Sequence, residues 1–191
     1  MIPFADPSAA VFSPDRVYRY TLNREIEGDQ VWRQLVCNFI MLNPSTADEI
    51  TNDRTLRRCI DFARDWRYGQ LTVTNLFGLR ATDPRRLLTH ADPVGPDNEG
   101  HLVAEAHRAN MVILAWGNGG HVLDRGRRVL HLLATENIPW FYLGITKEGA
   151  PNHPLYLPGD TRPKPMDLES WAAVTAAGKG RGWNGFSNEA G

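Results

Sequence analysis

Cysteine is scarce: Cys37 and Cys59 are the only two among 191 residues. Two thiols exclude a disulfide framework and a four-cysteine zinc or iron–sulfur centre. Cys37 lies in an apolar run and Cys59 on an apolar helical face, so both read as small buried hydrophobes. A surplus of one charge is also missing, the net being −1. That excludes a bulk-basic coat for nucleic acid but leaves room for a local positive groove. No apolar run reaches 18 residues, and the first fifteen lack a basic start followed by a long apolar core. Neither a membrane span nor a secretory leader is expected. The glycines at 117, 119 and 120 are not followed by the Lys-Ser/Thr ending of a nucleotide-binding loop. The expectation is a cytoplasmic, monomeric protein with no metal and no cofactor.

What is present is enough apolar content, 42%, for one sizeable core. Residues 1–16 carry three prolines and read as a loose arm, residues 17–177 as a single α/β domain, and the glycine-rich 178–191 as a disordered tail. Residues 17–22 and 31–35 flank a polar stretch and predict an N-terminal β-hairpin. Four apolar runs, 36–42, 71–76, 111–116 and 140–145, predict core strands. Between them, helical spacing covers residues 53–66, 99–109 and 122–136, with a short terminal helix at 167–177. The first helix places Leu56, Cys59, Ile60, Ala63 and Trp66 on one face, and Thr51, Asn52 or Asp53 can cap it. Its outer face carries Arg54, Arg57, Arg58 and Arg64, offset by Asp61 and Asp65. The alternation predicts a three-layer α/β/α domain with a mostly parallel four-stranded sheet and the added hairpin.

Each strand pattern ends in polar residues, at the place where open α/β sheets bind ligands. The first stops at Leu42-Asn43-Pro44-Ser45-Thr46-Ala47-Asp48, where Pro44 can extend neither strand nor helix. The second stops at Thr74-Asn75-Leu76-Phe77-Gly78-Leu79-Arg80 and the third at Trp116-Gly117-Asn118. The fourth leads on to Asn152-His153-Pro154-Leu155.

In order and spacing these four motifs, spanning about residues 36 to 157, resemble those of the uracil-DNA glycosylase superfamily. The wording Asn-Pro-Ser-Thr-Ala-Asp is also similar to that of an uncharacterised bacterial and phage domain family, which implies no activity. The first resemblance implies a metal-free hydrolase that cleaves the N-glycosidic bond of a deaminated or modified pyrimidine in DNA. It implies a role for each matching residue. Asn43 orients water through its amide oxygen and His153, as neutral imidazole, donates to the departing base. Asn75 reads the base edge, for which one acceptor and two donors suit a uracil-like ring. Pro44, Phe77 and Trp116 would surround the base, with Ser45, Thr46, Arg80, Gly117 and Asn118 on the phosphates. Such a base must leave the stack to react.

Two departures stand out. Asn43 occupies the place of an aspartate, so Asp48 and Asp53 are the candidate substitutes for the missing carboxylate, and Asn43→Asp is expected to maintain or raise a rate. Leu155 occupies the place of a phosphate-binding serine. Two rival functions remain open: a nucleotide- or nucleoside-processing hydrolase or transferase acting on free small molecules, and a base-reading DNA-binding module without catalysis. A positive groove built from Arg54, Arg57, Arg58, Arg80, Arg85 and Arg86 would favour DNA over free nucleotide.

Overall fold

The computed structural model describes residues 10–28, 30–45 and 52–171. The four apolar runs form strands: β3 (Val36–Met41), β4 (Gln70–Asn75), β5 (Met111–Leu114) and β6 (Trp140–Tyr142). They lie parallel in the order β4-β3-β5-β6. β3 is buried along its whole length because both faces of the sheet are covered. Phe39, Leu71, Val73 and Ile113 pack under α1 (Arg54–Asp65) together with Leu56, Cys59, Phe62 and Ala63. Ile40, Val112 and Leu114 pack on the other face, against Leu102 and Ala106 of α3 (Asn98–Arg108) and Val129, Leu130 and Leu133 of α4 (Arg125–Thr135).

Two polar pairs and one arginine link buried polar residues across the sheet. Thr74 Oγ1 donates to Asn38 Oδ1 at 3.1 Å, and Thr72 Oγ1 donates to Asn23 Oδ1 at 2.8 Å. Arg108 of α3 closes the row by donating to Thr72 Oγ1 at 2.9 Å. These bonds let the two threonines of Leu-Thr-Val-Thr sit in a buried strand, since a buried hydroxyl is costly only when unpaired.

The sheet is larger and more mixed than the sequence predicts. Seven strands follow the order β1-β2-β4-β3-β5-β6-β7, with antiparallel additions on both edges. β2 (Arg19–Glu25) corresponds to the first arm of the expected hairpin, but it pairs with β4 and with β1 (Ala10–Phe12). The second arm is not a strand: Gln30–Trp32 is a 3-10 turn, and Val31, 70% exposed, has no core to face. The loose arm must likewise be shortened, because Ala10–Phe12 is an edge strand; residues 1–9 lie outside the described residues. On the far edge β7 (Lys164–Met166) carries Pro165, tolerated there because an edge strand need not donate on both sides.

Helix α1 begins where the sequence predicts, and helix α4 does not. Helix α1 starts where Asp53 Oδ1 accepts the Leu56 amide at 2.7 Å, an N-cap at one of the three anticipated residues. Helix α4 starts three residues later than its apolar pattern suggests, because Leu123 and Asp124 adopt left-handed φ values of 51° and 55°. Between β4 and α3 lies one further turn of helix, α2 (Arg86–Thr89). The terminal helix is entered at 168–171, with Asp167 Oδ1 accepting the Ser170 amide at 2.7 Å; its remainder and the tail lie outside the described residues. No helix among the described residues is long and apolar enough to cross a membrane.

Candidate functional site

Hydrogen bonding between β3 and β4 continues past both strand ends and so fixes the first polar loop. Leu76 N–H donates to Met41 O at 2.9 Å, Phe77 N–H to Leu42 O at 3.0 Å, and Ala81 N–H to Pro44 O at 2.9 Å. Asn43 is thereby held beside Asn75. A pocket of about 300 Å³ opens at this end, walled by Asn43, Ser45, Asp53, Asn75, Trp116 and His153, with Met41, Leu42, Thr55, Leu56, Cys59, Val73 and Pro84 completing it. Such a volume is at the small end of ligand sites, about the scale for one ring system. Four sequence motifs thus meet in one cleft. Gly117 belongs to the same corner: a Cβ on it would lie 3.6 Å from that of His153.

The polar side chains of Asn43, Asn75, Asp53 and His153 each keep a polar atom for a ligand. The Asn43 amide nitrogen donates to Ala81 O at 2.8 Å and to Pro44 O at 3.1 Å. Two carbonyl acceptors identify that atom as nitrogen and leave Oδ1 as an acceptor. Asn75, 1% exposed, gives its backbone carbonyl to Asn98 Nδ2 at 3.0 Å, while its own Nδ2 has no acceptor among the described residues. The Leu155 amide donates to His153 Nδ1 at 3.3 Å, which places the ring proton of the neutral form on Nε2. Burial holds this imidazole below the usual histidine range, opposed in part by the carboxylate of Asp53. Asp53 uses Oδ1 for the helix cap, and among the described residues its second oxygen accepts no bond. Trp116 is 2% exposed and belongs mainly to the core; Gly120 packs so tightly under it that a Cβ there would fall 2.3 Å from the indole nitrogen.

Several expected site residues stand elsewhere. Phe77 is fully buried in the core on the α3–α4 face, so it cannot stack on a base in this pocket. Pro44 is buried and shapes the turn without lining the pocket. The Gly117 amide donates to Pro151 O at 2.9 Å, so it is not free for a phosphate. Asn118 is exposed and joins Glu148 (3.0 Å) and Thr146 (2.7 Å). Thr46 and Asp48 lie outside the described residues. The arginine groove is not assembled as expected: Arg57 donates to Asn52 O at 2.8 Å, Arg58 docks on Leu157 O and covers Phe62, and Arg85 pairs with Asp83 at 2.7 Å. Arg80 instead donates to Arg16 O at 3.1 Å, its guanidinium over Phe12.

The apolar walls and Arg19 were missed by sequence reasoning. Met41, Val73, Leu56 and Cys59 looked like core, and they are core residues whose ends reach the pocket. Burial pushes the Cys59 thiol well up, so it is a neutral wall rather than a nucleophile. Among the described residues no three His, Cys, Asp or Glu side chains come together as metal ligands would.

Residues 19–155, well over half the chain, match the family described as Protein of unknown function (DUF1643). The chain belongs to that family. The matched span runs from β2 to the turn after His153, so it contains every side chain that walls the pocket. Comparison with curated proteins and with solved structures found no match. Nothing in these comparisons speaks for the uracil-DNA glycosylase superfamily.

Proposed function

We propose that the cleft binds a pyrimidine base and that the protein hydrolyses its N-glycosidic bond, as a DNA glycosylase-like enzyme. The observation that carries this reading is the Asn75 amide: a donor 1% exposed, on a pocket wall, with no acceptor among the described residues. A buried unpaired donor costs about 1–3 kcal/mol, a penalty removed when a ligand carbonyl accepts from it. Its flanking partners suit the same ligand. His153 presents Nε2–H for a second carbonyl, and its depressed proton affinity keeps it a neutral donor at pH 7.

In the proposed reaction water adds its oxygen to C1′ while the C1′–N bond breaks. The bond pair leaves with the base, whose negative charge His153 Nε2–H stabilises by hydrogen bonding. The water proton passes to the open oxygen of Asp53 or to solvent, and Asn43 Oδ1 orients the water. The parallel core with its four motif-bearing strand ends is in keeping with a uracil-DNA glycosylase-like layout, and a cytoplasmic monomer acting on DNA belongs to the same proposal. The engaged Arg57, Arg58 and Arg85 favour the second reading, an enzyme for free nucleotides, over one that tracks a long duplex. Incubation with oligonucleotides containing uracil and modified pyrimidines, followed by alkali, tests the proposal. Strand breaks at the modified base support it; binding without breaks leaves a base-reading module, and neither outcome points to small-molecule substrates.

A further inference from the structure

We infer that the guanidinium groups of Arg19 and Arg80 form a phosphate subsite beside the base pocket; its role next to a base rests on the function proposed above. The two side chains are brought together by backbone pairing. Tyr18 and Leu79 form an antiparallel bridge, with Arg19 N–H donating to Gly78 O at 2.9 Å and Arg80 N–H to Val17 O at 3.1 Å. Tyr18 and Leu79 pack with the core on the α3–α4 side. Alternation turns the next residue of each segment, Arg19 and Arg80, to the opposite face, the α1 side that holds Asp53 and Asn75.

Neither guanidinium has a counter-ion among the described residues. Arg19 is 7% exposed, and its Nε–H has no acceptor. Arg80 likewise buries an Nε–H with no acceptor, and its guanidinium donates to the Arg16 carbonyl. Burial first, and then the charge of Arg80, draw the Arg19 proton affinity down to about 10; Asp53 opposes this and Arg24 adds to it. A buried cation without a partner is strongly unfavourable, and a second cation beside it makes matters worse. Two orphan donors of one type on one face are matched by an anion with several acceptor oxygens. The fork of a guanidinium fits a phosphate in this way. Arg80 adjoins Ala81, which is bonded to both Asn43 and Pro44, and Asp53 of the pocket wall acts on the charge of Arg19, so the pair borders the Asn43 side of the pocket.

The phosphate can come from a DNA backbone or from a free nucleotide, and the test separates these. The full chain is titrated with inorganic phosphate, deoxyuridine, deoxyuridine 5′-monophosphate and a uracil-containing oligonucleotide, reading melting temperature and Kd. We expect inorganic phosphate to raise the melting temperature, and one phosphate to tighten deoxyuridine binding at least about tenfold. Arg19→Met should abolish that gain while leaving the unliganded melting temperature equal or higher, because it removes an uncompensated charge. Arg80→Met should weaken the gain and serves if Arg19→Met does not fold. A gain confined to the oligonucleotide identifies DNA as the source; one already present with the monophosphate identifies the free nucleotide. Equal affinities for deoxyuridine, its monophosphate and the oligonucleotide would overturn the subsite. So would an Arg19→Met protein that melts lower and keeps the gain. Phosphate binding without deoxyuridine binding would instead overturn the base pocket and leave the subsite standing.

Discussion

Replacing Asn43 by aspartate tests the structure where it departs most from the sequence-based expectation. A carboxylate at this place was expected to maintain or raise the rate. For stability the geometry predicts a loss, because the nitrogen that aspartate lacks is the atom in use. It donates to Ala81 O at 2.8 Å and Pro44 O at 3.1 Å. Pro44 O keeps a second donor, the Ala81 amide at 2.9 Å, whereas Ala81 O loses its donor in a buried residue. Two lost hydrogen bonds at about 1 kcal/mol each, plus one unsatisfied buried carbonyl, give roughly 2–4 kcal/mol of destabilisation at pH 7. The introduced carboxyl group can still donate when it is protonated, so its folded pKa should rise above the unfolded value of about 3.9. The native state then favours the protonated acid, so stability is retained below about pH 4 and lost as pH rises through the folded pKa. Urea unfolding of wild type and Asn43→Asp across pH measures this. Equal midpoints at pH 7 would refute the donor role of Asn43 and the orientation assigned to its amide.

Three further outcomes are expected. Asp53→Ser should leave stability within about 0.5 kcal/mol, because serine also caps α1, while abolishing base release if Asp53 takes the water proton; unchanged turnover would leave Asp53 a cap alone. His153→Ala should lower turnover by about 10²–10³ with little change in binding. The depressed folded pKa of His153 also sets a sign: its contribution to stability is present above about pH 6.5 and lost as pH falls towards the folded value. That acid-side loss should vanish in His153→Ala, as acid unfolding of both proteins would show. Asn75→Leu should weaken nucleoside binding about tenfold or more while stability holds or rises, since an orphan donor is removed; weakened folding with unchanged binding would count against a ligand contact.

The sequence was legible where one force dominates. The four parallel strands are apolar runs too short for helices, and α1 carries both its apolar spacing and a capping aspartate. The site was legible for the same reason: Asn43, Asn75 and His153 follow strands, and parallel strands deliver their ends to one side of the sheet. The edges were not legible, because β1 and β7 have three residues each and are held by pairing rather than by their own pattern. Val31 to Leu35 alternates weakly, and β2 pairs with β4 rather than with that segment. The later start of α4 depends on the left-handed Leu123 and Asp124, which no apolar periodicity reports. Arg19 was invisible for a sharper reason. A lone arginine in a strand reads as solvent-facing, and its burial depends on a bridge between residues 61 positions apart. Phe77 was misassigned because strand alternation would keep it on the face of Asn75, whereas β4 ends at Asn75 and the loop after it turns Phe77 into the opposite core.

The most direct test asks whether one ligand meets Asn75 and His153 together. Side-chain 15N spectra of the protein should be followed while deoxyuridine or a uracil-containing oligonucleotide is added. The account predicts that the Asn75 amide and the His153 Nε2–H resonances shift in step, with the same Kd, and that Asn75→Leu weakens both responses. Saturable binding that moves neither resonance would contradict the account, because the ligand would then lie outside this cleft.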